Sequence, residues 1–185
     1  MSNAILKGNA SGTGSVTLES PNTNSDRTIS LPDANGTAMV SGNMPAFSAY
    51  KSGTDQTVTT LTFTKITFET EKFDTNNNFA SSRFTPTVAG YYQINSVLRY
   101  SGTAINDVTL ELYKNGTSYE RGQETGLLSA SNTSGQILLS TIIYLNGSSD
   151  YVEIYGYIDG AGTLKFTQAN SVTTCLFSGC LVRSA

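Results

Sequence analysis

The sequence predicts an all-β protein, a sandwich or barrel of short antiparallel strands. Three observations carry this. From Tyr91 to Tyr100 the residues alternate: Tyr92, Ile94, Leu98 and Tyr100 share one parity, interrupted by Ser96, while Gln93, Asn95, Val97 and Arg99 take the other. A period of two marks a strand with one buried face. Turn signals separate strand-like runs at regular spacing from Phe47 onward, and no stretch there has helical periodicity.

Taken in order, the chain begins with a distinct segment. All 18 aromatic residues (10 Tyr and 8 Phe) lie at Phe47 or later, and residues 1–46 are rich in Gly, Ser, Asn and Thr. So few large apolar groups do not build a globular core alone. Within this segment Ser15–Glu19 and Thr28–Leu31 alternate as strands around a turn at Pro21–Asp26. A second turn at Pro32–Gly36 precedes the short run Thr37–Val40. Strands with such thin apolar faces suit a core completed by further copies of the chain. Gly8, Gly12 and Gly14 are not followed by the Gly-Lys-Ser/Thr of a phosphate loop.

Beyond it, strands are expected at Ala46–Lys51, Leu61–Phe68, Arg83–Val88, Tyr91–Tyr100, Val108–Lys114, Ser118–Arg121, Gly135–Leu145, Tyr151–Ile158, Leu164–Thr167 and Val172–Val182. Asn115-Gly116 after Val108–Lys114 is a strong signal for a two-residue hairpin turn.

Several of these runs carry a further pattern. Phe84, five residues, then Gly90, Tyr92 and Ile94 resembles the signature of the C1q/tumour-necrosis-factor-like domain, with Ile94 in place of the usual second Phe. Phe68, Asp74 and Phe79 keep the upstream spacing. Gln136–Asn146, a turn at Gly147–Asp150 and Tyr151–Tyr157 match a second family segment, and Phe177-Ser178-Gly179-Cys180-Leu181-Val182 resembles the closing strand. The resemblance covers about residues 45–185 and implies a ten-stranded jelly roll of two antiparallel sheets over 44–185 that assembles as a homotrimer. Matching strand to strand then puts Phe177 and Leu138 toward the trimer axis, with Gln93 and Asn95 facing it. Residues 12–43, above all LESPNTNSDRTISLPDANGT, resemble a segment that recurs in phage tail-fibre and related virion proteins. That likeness implies that residues 1–43 form a β-structured trimeric neck or attach to other virion proteins.

Composition limits the function. Charged residues make up 14% and the net charge is −3, without a basic stripe for nucleic acid. No apolar run approaches a membrane span, so no membrane insertion is expected. Met1-Ser2-Asn3-Ala4 has no apolar signal-peptide core, which makes synthesis in a host cytoplasm the expectation. There is no histidine, hence neither the commonest general base nor the commonest metal ligand. The carboxylate pairs Glu69/Glu71 and Asp150/Glu153 read as solvated or turn residues, and Ser48/Lys51 as a chance Ser-x-x-Lys. Asp107, Asp150 and Asp159 lie at strand ends, where some C1q-like domains bind calcium, but no compact calcium loop surrounds them. Cys175 and Cys180 point to opposite faces of one strand and do not bridge; Cys180, where the family has an aromatic, is expected to be buried.

The expectation is therefore a non-catalytic virion protein without cofactor or metal, placed on tail or capsid: a short tail fibre or tip that binds a host-surface glycan or protein. The alternative is a structural capsid-decoration or collar protein. Loops on a rigid sheet scaffold carry recognition. The candidates are Glu124, Leu127 and Leu128 in the Gly122–Ser134 stretch, and Asn76, Asn77 and Asn78 in Asp74–Ser82.

Overall fold

The computed structural model describes residues 11–13, 17, 19, 22–26, 28–30, 33, 39–126, 134–168 and 173–185. The chain divides into two compact units, Met1–Gly36 and Thr37–Ala185. In the first, no described residue lies in a helix or strand. Thr17, Glu19, Thr28, Ile29 and Ser30, which the alternation assigns to strands, are outside any ladder; the other residues of those two runs lie outside the described ones, as does most of the Pro32–Gly36 turn. Ile29, one of this unit's few apolar residues, is exposed. The run Thr37–Val40 is likewise not a strand at Met39 and Val40; a single 3-10 turn, Ser41–Asn43, follows.

The second unit is an antiparallel sandwich of eleven strands: β1 (Ala46–Tyr50), β2 (Gln56–Thr57), β3 (Thr64–Lys65), β4 (Thr70–Asp74), β5 (Phe79–Ala80), β6 (Arg83–Phe84), β7 (Gly90–Lys114), β8 (Thr117–Gly126), β9 (Ser134–Leu145), β10 (Val152–Phe166) and β11 (Leu176–Ser184). One sheet runs β4-β1-β11-β7-β9 and uses the first half of β7, residues 90–101. The other is built on the second half, where β8 pairs with residues 107–114 on one side and β10 on the other; β3 and β6 flank β10.

The two expected strands Tyr91–Tyr100 and Val108–Lys114 are thus one 25-residue strand that turns the corner between the sheets. The turn falls at Ala104, whose φ is +45°. The expected Tyr151–Ile158 and Leu164–Thr167 merge in the same way into β10, with ladder shifts between Asp159, Ala161 and Lys165. Asn115-Gly116 is the two-residue turn that its composition predicts, both residues having positive φ (54° and 78°).

Alternation in β7 holds from Gly90 to Tyr100, with every even-numbered residue buried. Ser96, the polar interruption, obeys it too: its hydroxyl is buried and donates to the Leu176 carbonyl at 2.9 Å. A buried hydroxyl with a partner carries little penalty. The core centres on Phe47, whose ring lies 4.3 Å from Phe84, 4.9 Å from Phe177 and 5.0 Å from Phe79. The motif glycine has a steric reason: a Cβ on Gly90 would lie 2.4 Å from the Arg183 carbonyl oxygen. Tyr92 packs edge-on against Phe84 and donates to the Val88 carbonyl at 2.6 Å, so the motif closes one end of the sandwich.

Candidate functional site

The outward parity of the first sheet forms a continuous face. The ladders set its rows: Leu176, Val97 and Leu138 in one, Ser178, Asn95 and Ser140 in the next, then Cys180, Gln93 and Ile142. Tyr91 and Tyr144 close it, with ring centroids 5.5 Å apart. Residues directly opposite in a ladder share a side of the sheet. β9 is apolar on both parities: Ile137, Leu139, Ile143 and Leu145 point inward and are buried, whereas Leu138 and Ile142 are each 56% exposed. Val182 adds to the same outward set. At the centre lies a hydrogen-bonded polar trio. Gln93 Nε2 donates to Ser140 Oγ at 3.0 Å and to Asn95 Oδ1 at 3.2 Å, and Ser140 Oγ donates to Asn95 Oδ1 at 2.9 Å.

Leu138, Gln93 and Asn95 therefore lie together on this face. Phe177 does not. It is fully buried in the aromatic core among Phe47, Phe68 and Phe79, which corrects its placement toward an axis. Both parities of β11 carry apolar residues, and packing against Phe47 decides in favour of 177, 179 and 181 inward. The same parity corrects Cys180, which is exposed rather than buried. Cys175 is buried; its Sγ accepts from Arg99 N at 3.2 Å and donates to the Thr167 carbonyl at 3.3 Å, and burial pushes its thiol pKa up. Besides Leu138, the exposed large apolar residues of this face are Tyr91, Ile142, Tyr144 and Val182, none of them a site candidate from the sequence. The signal available for three of them was strand register: Tyr91 extends the Gln93/Asn95 parity, and Ile142 and Tyr144 that of Leu138.

The loop candidates separate. Glu124 sits on β8, exposed and paired with Arg121 at 2.9 Å. Leu127 and Leu128 lie outside the described residues. Asn76 is occupied in its own turn, donating to the Gly42 carbonyl at 3.2 Å and accepting from Thr75 Oγ1 at 2.7 Å. Asn78 is buried and bonded to the Asn76 carbonyl, and Asn77 is exposed with φ +52°.

Three of the four paired carboxylates are committed to cations. Glu69 binds the buried Lys51 at 2.7 Å, whereas Glu71 is exposed. Glu153 binds Lys65 and Arg83 at 2.5 and 2.8 Å, and Asp150 binds Lys114 at 2.9 Å. Lys51, committed to Glu69 and Thr67, is not poised beside Ser48. Asp107 faces Asp159 across the β7–β10 ladder, with Asp150 just beyond the opposite end. Among the described residues no group of three or more His, Cys, Asp or Glu is placed to hold a metal ion.

The sandwich is similar in architecture to solved structures. Murine APRIL (crystal at pH 8.0) superposes with a TM-score of 0.54 at 9% identity, over 75% of this chain and 99% of that one. Eiger TNF from S. frugiperda gives 0.56 at 8% identity, over 77% of this chain and 93% of that one. The fold is TNF-like. Identities this low speak for the fold alone. No family model matches the sequence, and no curated protein matches it either. In this TNF-like jelly roll, the exposed face of the first sheet is the candidate functional surface.

Proposed function

We propose that this protein is a non-catalytic homotrimer whose three jelly rolls pack through the exposed face of the first sheet. The observation that carries the proposal is β9, apolar on both sides, with Leu138, Ile142 and Tyr144 left in solvent beside Tyr91 and Val182. An apolar surface of this kind on a sheet marks an association site. The Gln93–Asn95–Ser140 trio supports a repeated partner: its groups both donate and accept, so copies of it satisfy one another while fixing register. Obligate interfaces bury more than about 2,000 Å², and at this size no stable monomer is expected.

We further propose that the trimer is a virion appendage, a short tail fibre or tip that binds the host surface, with the N-terminal segment attaching it to other virion proteins. The wording of residues 12–43 supports this. Three equivalent sites on one axis let weak contacts to a repeated surface glycan add through avidity. Cryo-electron microscopy of the purified virion tests the assignment: three-fold density at the distal end of a tail appendage is expected. Density packed into the capsid or collar would replace it with the structural role. Light scattering of the purified protein, expected to give three times the 19.7 kDa protomer mass, tests the assembly separately.

A further inference from the structure

On the second sheet, away from the proposed assembly face, a cavity of about 400 Å³ opens at the β5–β6 turn, walled by Lys65, Asn77, Asn78, Ser81, Arg83 and Thr85. Small-ligand sites span roughly 300–1,000 Å³. Beneath it lies Glu153, 2% exposed, whose Oε1 accepts from Lys65 Nζ and Arg83 Nε. The Arg83 guanidinium lies 3.7 Å from the centre of the Tyr151 ring. Two contacts therefore fix its plane, while its Nη1 and Nη2 groups make no hydrogen bond to any described residue. The side-chain amide of Asn77 and the hydroxyl of Ser81 are equally without partners among the described residues.

The wall is built rather than loose. Asp74 accepts from Asn76 N and Phe79 N, Asn78 accepts from Thr87 N, and Ser82 Oγ accepts from Phe68 N. These bonds hold Asn77, Ser81 and Ser82 in the left-handed region at φ 52°, 51° and 57°. Non-glycine residues rarely stay there unless the surroundings enforce it. Tyr155, directly opposite Lys65 in the β3–β10 ladder, stacks on Tyr113 at 3.8 Å. The hydroxyls of both tyrosines have no partner among the described residues. Phenols ordinarily titrate near about 10, and burial raises both of these further, so both are O–H donors at neutral pH.

We propose that this cavity binds a carboxylate-bearing sugar residue of an acidic polysaccharide. Two cations meet one carboxylate here, leaving a local charge of +1, and the free edge of Arg83 offers two parallel N–H donors, the geometry a carboxylate accepts. Asn77 and Ser81 supply the mixed donors and acceptors that ring hydroxyls need. An acidic peptide would use the charge but leave the amide and hydroxyls unmatched. The proposal names the ligand class of the host-surface reading above and rests on that reading, while using a different surface from the trimer.

The test is titration calorimetry of the full chain with oligogalacturonate and with polysialic acid fragments, against dextran and polyglutamate. Binding of at least one acidic glycan is expected, with none to dextran and at least tenfold weaker binding to polyglutamate. Arg83→Lys, which keeps the charge on Glu153 but loses the fork, is expected to weaken glycan binding tenfold or more. Asn77→Gly, which keeps the left-handed backbone but loses the amide, is expected to do the same. Both variants should retain the wild-type mass and a cooperative melt, Arg83→Lys at a slightly lower temperature because the Tyr151 stack is lost and Asn77→Gly at an equal or higher one because glycine takes φ +52° without strain. No binding of either acidic glycan overturns the proposal, as does binding that the variants leave unchanged or that polyglutamate matches. Adsorption to host cells separates the two readings. Wild-type adsorption that both variants preserve sinks the cavity and leaves the host-binding function standing, whereas a wild-type protein that does not adsorb sinks that function.

Discussion

Glu153 shows how single residues set the acid limit of this fold. Burial alone would raise its pKa, but the hydrogen bonds from Lys65 and Arg83 outweigh it and hold the carboxyl below its ordinary range. Asp55 and Asp150 are lowered as well, the first mainly by its bond to Lys165 and the second by its bond to Asn115. A carboxyl with a folded pKa below its unfolded one, about 4, stabilises fully above that value and loses the contribution as pH falls through the folded pKa. The melting temperature is therefore expected to be flat from about pH 5 to neutrality and to drop below about pH 4. Glu153→Gln should cost about 2–3 kcal/mol at pH 7, less than for a fully buried pair because Lys65 and Arg83 reach solvent. Scanning calorimetry should also show a shallower acid decline for this variant. Asp107 has the opposite sign: burial, then Glu124 and Asp159, raise its pKa, and its Oδ1 has no partner among the described residues. Its charge costs stability above the folded pKa, so Asp107→Asn should raise the neutral-pH melting temperature by about 1–3 °C.

Among the elements, β7 governs the architecture. One strand contributes to both sheets, so its corner must bend sharply without losing either ladder, and Ala104 adopts a left-handed backbone there. An L-residue with a side chain pays roughly 1–2 kcal/mol for that conformation, and glycine does not. Ala104→Gly is expected to stabilise by about 0.5–1 kcal/mol, the usual net once unfolded-chain entropy is subtracted, with chemical denaturation as the measurement. A loss of stability would mean that the Ala104 methyl is needed in packing at the corner.

For the whole molecule, the decisive property is the exposed face of the first sheet. If three copies cover it, charge placed there must separate them, because an unpaired ammonium in an apolar interface is strongly unfavourable. Leu138→Lys combined with Ile142→Lys is expected to convert a trimer to a monomer by light scattering, without unfolding the sandwich, since both side chains point away from the core. Cys180 offers an independent readout. Its side chain shares the face with Gln93 and Ile142, so alkylation should be at least tenfold slower in the trimer than in the double variant. Cys175, inside the core, should stay unreactive in both. Equal Cys180 rates, with the wild type trimeric, would place the interface elsewhere.

The local rules of the chain were legible from its residues. Alternation along Gly90–Tyr100, the Asn115-Gly116 turn and the Phe84–Gly90–Tyr92–Ile94 spacing each depend on neighbours a few positions apart, and backbone geometry converts them directly into a strand, a hairpin and a closed core end. What stayed hidden depends on distant neighbours. β11 is apolar on both parities, and only contact with Phe47, 130 positions away by number (177 − 47), turns Phe177 inward and leaves Cys180 in solvent. The continuity of β7 was likewise invisible, because the corner residues Gly102 to Asn106 resemble a loop until both sheets pair on either side of them. The cavity is the extreme case: Lys65 and Arg83 reach Glu153 from positions 88 and 70 residues away. Sequence by itself determined the long alternating strands and the Asn115-Gly116 turn, because pleat and turn chemistry are local; it did not mark the short strands β2, β4 and β5, which exist only through their ladder partners. Tertiary structure decided which face each strand shows and which side chains meet, because those follow from how the sheets close around one core.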